Sequence, residues 1–157
     1  MRDQLWLEKQ LIFVRQRYFR DLVLKNPLRI RFGRASRTIL GSIKLRQRNG
    51  LWWSIISINH LFTVRSVPQA VVRLTIAHEL VHYLHGFSSQ HEKELHYPHW
   101  GGVVDQELKK RGMHRQLLGQ KAWVKTHWQK FVTSQLPQTT KRRRTRLRRG
   151  ISWRSLW

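Results

Sequence analysis

Apolar residues recur at helical spacing from the start of the chain. Leu7, Leu11, Val14, Tyr18 and Leu22 fall three or four apart, with Arg15, Arg17 and Arg20 between them. That pattern predicts an amphipathic helix over residues 4–24. Asn26-Pro27 ends it, because the residue before a proline is pushed out of helical geometry. The period then changes to two. Leu28, Ile30 and Phe32 alternate with Arg29 and Arg31, and Ile43 and Leu45 alternate with Lys44 and Arg46. Both stretches predict half-buried strands. Asn49-Gly50 tolerates positive φ at both positions and predicts a hairpin, with Leu51 to Ile58 as the return strand. The expectation is a small antiparallel sheet of about three strands.

Helical spacing resumes at Ser66-Val67-Pro68-Gln69, which reads as a serine cap with proline in the first turn. This helix is expected to run to about His85 and stop at Gly86. Trp100, Val103, Val104 and Leu108 predict a further helix from Pro98 to about Arg111, weakened by Gly101-Gly102. A last helical stretch is expected from about Leu117 to Val132, before Pro137. Residues 138–150 are basic and of low complexity. The fold class expected is α+β: a domain over residues 1–137, then a basic, disordered tail over 138–157.

A length of 157 residues suits one domain with one core. The absence of cysteine excludes disulfides, thiolate metal sites and a cysteine nucleophile. No apolar run approaches the ~20 residues of a membrane span, and the first ten residues carry charge too early for a signal peptide. The expected setting is cytoplasmic, or associated with DNA in the nucleoid. Charge points the same way. Lys and Arg number 31 against 8 acids, a net charge of +23, and the first 140 residues alone keep +15. Such an excess favours a polyanionic partner, above all nucleic acid. In the tail, Arg142, Arg143, Arg144, Arg146, Arg148 and Arg149 are placed to neutralise phosphates, and Trp153 and Trp157 to stack on unpaired bases.

The segment that carries chemistry is His78-Glu79-Leu80-Val81-His82, an H-E-x-x-H pattern inside a predicted helix. Residues four apart lie on one helix face, so both imidazoles can reach one Zn²⁺ while Glu79 stands beside a bound water. By chance a chain of this composition would contain the pattern about once in sixty. A catalytic zinc takes a third protein ligand and keeps a fourth position open. His85, His91, His96, His99, Asp105 and Glu107 are the downstream candidates. Spacing alone does not separate His96 from His99.

Thr75-Ile76-Ala77-His78-Glu79-Leu80-Val81-His82, followed by His96-Tyr97-Pro98-His99-Trp100, resembles the SprT-like zinc peptidases. Those proteins carry HExxH on one helix and a third His opening the next, usually as His-Gly-x-x-Phe or Trp. The likeness spans roughly residues 5–133, with Tyr97 standing where the family usually has Gly. It implies a small zincin-like domain in which His78, His82 and His96 hold Zn²⁺ and Glu79 is the general base. The function expected is a zinc metalloendopeptidase acting on protein or peptide, in particular on proteins associated with DNA. A peptide substrate would add as a strand beside Ile55 to Ile58, with Trp52 and Trp53 lining the cleft. The rival reading is a non-catalytic nucleic-acid-binding protein with a structural zinc, whose closed site would use four protein ligands and leave Glu79 without a task.

Overall fold

A computed structural model describes residues 1–93 and 97–136. His96 and the tail with its arginines, from Arg142 to Arg149, lie outside the described residues. In chain order the elements are α1 (Gln4–Tyr18), β1 (Leu28–Phe32), β2 (Gly41–Arg48), β3 (Leu51–Ile58), α2 (Gln69–Leu84), α3 (Val103–Lys110), α4 (His114–Trp123) and α5 (Gln129–Gln135). A π turn at Val124–Trp128 joins the last two. The class is α+β. Among the described residues no helix is long and apolar enough to cross a membrane.

Helix α2 is buried from Val71 to Tyr83 except at Arg73, with apolar residues on most of its circumference. It packs on β2 and β3 and is flanked by α1, α3 and α4. It begins at Gln69, with Pro68 rather than Ser66 in the cap position and no side-chain cap. Pro68 suits that place because its carbonyl accepts the amides of Val71 and Val72. The start of α1 is capped by Asp3, whose carboxylate accepts the Trp6 amide at 2.7 Å. That helix ends at Tyr18, six residues before the predicted end at residue 24. Phe19 and Leu22 are buried from the turn that follows, so their spacing reports burial and not helix. Arg111 ties α3 to this turn through Asp21 at 2.7 and 2.8 Å and the Tyr18 carbonyl at 2.8 Å.

The sheet has three strands, but it is mixed, which corrects the antiparallel expectation. Its order is β1-β3-β2, with β2 antiparallel and β1 parallel to the central β3. The hairpin forms as the Asn49-Gly50 pair predicts, with φ of 51° and 76°. The departure lies in the β1–β2 link. Asn59, directly after β3, donates its side-chain amide to the carbonyls of Ser36 and Ile39 at 2.8 and 2.6 Å and accepts the Ser36 amide. That grip carries residues 33–40 past the end of β3, so β2 is delivered to its far side. Alternation of apolar and polar residues is the same for either strand direction and does not reveal this crossing.

Because β3 is paired on both sides, its backbone cannot receive an added peptide. The site expected beside Ile55 to Ile58 is therefore excluded. Among the described residues β1 and β2 are the two edge strands, each paired only with β3.

Candidate metal centre

His78 and His82 lie one turn apart on α2 and both are buried. Their Nε2 atoms are 3.0 Å apart. Two imidazole nitrogens on one tetrahedral ion at about 2.0–2.1 Å would stand about 3.4 Å apart, so the pair is nearly set for a shared ion. His99 supplies the third imidazole. Its ring centroid is 4.7 Å from that of His82 and 5.5 Å from that of His78, and one ligand atom from each of the three falls within 4.8 Å of the others. Among the described residues this is the one group of three or more His, Cys, Asp or Glu side chains that can hold a metal ion.

His99 reaches the pair because the chain turns sharply behind it. Gly101 and Gly102 adopt φ of 64° and 69°, which breaks the expected 98–111 helix and delays α3 to Val103. The other candidates are engaged elsewhere. His91 Nε2 meets the Val23 carbonyl at 2.9 Å, Glu107 bonds Arg111 at 2.8 Å, and Asp105 pairs with Lys121. His85 is buried just past the helix and falls outside the triad.

Burial sets the protonation of the site. His82 is pushed down to about 4, chiefly by burial and then by His99 and His85. His78 is held well below its ordinary value, first by burial and then by His82, His99 and Lys121. His99 is lowered by burial, with Asp105 acting in the opposite sense. All three are therefore neutral at physiological pH, the form that binds metals. Glu79 is pushed up to about 8 by burial.

Glu79 shares a cleft of about 310 Å³ with the three imidazoles, lined also by Leu40 to Ile43 and by Phe87, Ser88 and Pro98. Neither Trp52 nor Trp53 lines it, contrary to expectation. No family model, curated protein or solved structure matches this chain. What supports a functional reading is therefore the site itself.

Two supports of the cleft have no clear signature in the sequence pattern. The first is the end of α2. The Gly86 amide bonds the Tyr83 carbonyl and the Phe87 amide bonds that of His82, a Schellman closure for which Gly86 takes φ of 78°. It turns Phe87 back so that its ring meets His82 edge-on at 6.2 Å. The second is the Asn59 grip on the loop before β2, which sets Leu40 and Gly41 in the cleft wall. The Trp128 indole bonds the Arg37 carbonyl at 2.9 Å and holds the same loop from the side of the π turn. Gly86 is legible as a helix stop but not as the device that aims Phe87, whereas the Asn59 contacts span 20 and 23 residues and leave no local pattern.

Proposed function

We propose that the protein is a zinc-dependent metallopeptidase with His78, His82 and His99 as the metal ligands and Glu79 as general base. The observation that carries this reading is the convergence of three neutral imidazoles in a cleft that also holds a buried carboxyl. Without cysteine the donors are nitrogen and oxygen, which suits zinc. The resemblance to SprT-like peptidases supports the same chemistry, with His99 taking the part that it gave to His96. A closed structural site has no task for a carboxyl beside its ligands, and Glu79 lines the same cleft as the three imidazoles. That supports the catalytic reading over the rival structural role.

A bound zinc would acidify water and polarise a carbonyl oxygen. Burial alone would keep Glu79 protonated near neutral pH, but a cation held by the adjacent imidazoles favours the ionised carboxylate. In that form Glu79 takes the proton of the attacking water and returns it to the leaving amine. The open edge of β2, at Gly41 to Ile43, runs along the cleft wall and can align a peptide by backbone hydrogen bonds. Phe87 lines the same cleft beside His82.

Glu79→Gln tests the assignment. The purified variant should keep its zinc and lose casein or peptide hydrolysis by about 10²- to 10⁴-fold. Cleavage at the parent rate would remove Glu79 as the base. Zinc held stoichiometrically by a parent protein that cleaves no peptide would favour the structural role.

A further inference from the structure

The outer face of the sheet carries a second site, separate from the cleft. Side chains pointing away from α2 along the three strands are Arg29 and Arg31 on β1, Lys44, Arg46 and Arg48 on β2, and Leu51, Trp53 and Ile55 on β3. All five cations are exposed, and none joins an ion pair among the described residues. No acidic residue occurs anywhere between Asp21 and Glu79. The cations therefore face solvent without compensation, and like charges this close repel one another unless an anion is present.

Their arrangement has a shape. A groove of about 430 Å³ runs between Arg29, Arg46, Arg48 and Leu51, with Trp53 and Ile55 half-buried among them. The Arg29 guanidinium lies over the Trp53 indole at 4.3 Å from the ring centroid. Arg46 is the direct cross-strand partner of Trp53, and Lys44 that of Ile55. Along β2 the cations repeat every second residue, in steps of about 7 Å, a spacing comparable with that of successive phosphates in an extended polynucleotide.

We propose that this face binds single-stranded nucleic acid, with phosphates on Lys44, Arg46 and Arg48 and a base stacked on the Arg29–Trp53 layer. A sheet face bearing an aromatic ring suits unpaired bases, which expose their π-faces, while a duplex hides them. An anionic membrane fits less well, since Trp53 and Ile55 are half-buried among the cations and Leu51 alone of the three apolar residues named on this face is exposed. The site does not depend on the metal reading: it shares only β2 with the cleft.

The test uses the full chain and labelled oligo(dT), with fluorescence anisotropy at several salt concentrations. Replacing Lys44, Arg46 and Arg48 together by Gln should weaken binding at least tenfold and flatten the slope of log affinity against log salt by roughly 2. A control with the same charge change on other exposed positions, Lys109, Lys110 and Arg115 to Gln, should lose far less. Trp53→Ala should cost roughly tenfold on the single strand and little on a duplex, and Trp53→Phe should restore most of it. Zinc content and thermal midpoint show whether each variant is folded, and the Phe variant keeps the stacking arm decisive if the Ala variant is not. Equal losses for the two triple variants would reduce binding to net charge and overturn the proposal. Stronger capture of the parent by phosphatidylcholine vesicles containing phosphatidylserine than by oligo(dT) would assign the face to lipid instead. Glu79→Gln should bind like the parent, which separates this site from the fate of the peptidase reading.

Discussion

Gly41, the first residue of the edge strand β2, lies against the Glu79 carboxyl: a Cβ at position 41 would stand 2.8 Å from Glu79 Oε1 and 2.7 Å from Thr75 Cγ2. Only a residue without a side chain leaves the carboxyl where it is. Gly41→Ala should therefore lower hydrolysis about tenfold or more while zinc is retained, and should cost roughly 1–3 kcal/mol of stability through overpacking. Thr75→Ser in the same chain removes Cγ2 but keeps the hydroxyl that accepts from Gln120 at 3.0 Å. The double variant should regain stability and leave hydrolysis impaired. Thermal midpoints and turnover of the two variants decide it; full activity in Gly41→Ala would show that the contact is immaterial to the base.

Removal of each candidate ligand separates the triad from its neighbours. His78→Ala, His82→Ala and His99→Ala should each lose zinc by at least tenfold in affinity, whereas His85→Ala and His91→Ala should keep it. His91 is committed to the Val23 carbonyl and His85 stands outside the converging group. Competition with a chromogenic chelator measures all five. A greater loss in His96→Ala than in His99→Ala would return the third position to the residue that the family resemblance favours.

Much of this site is legible in the sequence. His78, Glu79 and His82 are one turn of one helix, so local geometry alone brings them together. The third ligand is different in kind. It lies in a loop, and its placement depends on positive φ at Gly101 and Gly102, which the sequence shows only as a weakness in a helix. The sheet divides in the same way. Alternation predicts which side chains face α2, and Asn49-Gly50 predicts the hairpin. The parallel pairing of β1 rests on the Asn59 contacts with a loop some twenty residues earlier, and no periodicity encodes that.

Behind the cleft, Tyr83 holds a buried polar cluster. Its hydroxyl donates to the Asn26 carbonyl at 3.0 Å and accepts the Asn26 amide at 3.2 Å, while the Asn26 side chain binds Ser54 Oγ at 2.8 Å and the Gln90 amide at 3.0 Å. The cluster joins α2, β3 and the loop after α2. Tyr83→Phe removes only the hydroxyl and strands two buried backbone groups, a change that should cost about 1–3 kcal/mol. Urea denaturation should show a lower midpoint with an unchanged slope. An unaltered midpoint would mean that the cluster contributes nothing to stability.

Glu79 should also govern the alkaline stability of the metal-free protein. Its carboxyl moves from an ordinary 4.5 to about 8 on burial. Between those values the folded chain holds a proton that the unfolded chain has lost, so stability falls as pH rises through the window. His82 acts in the opposite sense. Its folded value of about 4 lies below the ordinary 6.5, so the unfolded chain binds the extra proton and stability rises with pH between the two. The two trends oppose each other below 6.5, and from 6.5 to 8 the carboxyl acts without that opposition. In chelator, the parent should lose about 2 kcal/mol across that upper interval. Glu79→Gln has no proton to lose and should stay level, so its advantage in thermal midpoint should widen from pH 6.5 to 8 and then hold constant. Added zinc should shrink the difference, because a nearby cation favours the ionised carboxylate. Parallel profiles for parent and variant in chelator would show that Glu79 is already ionised in the empty site.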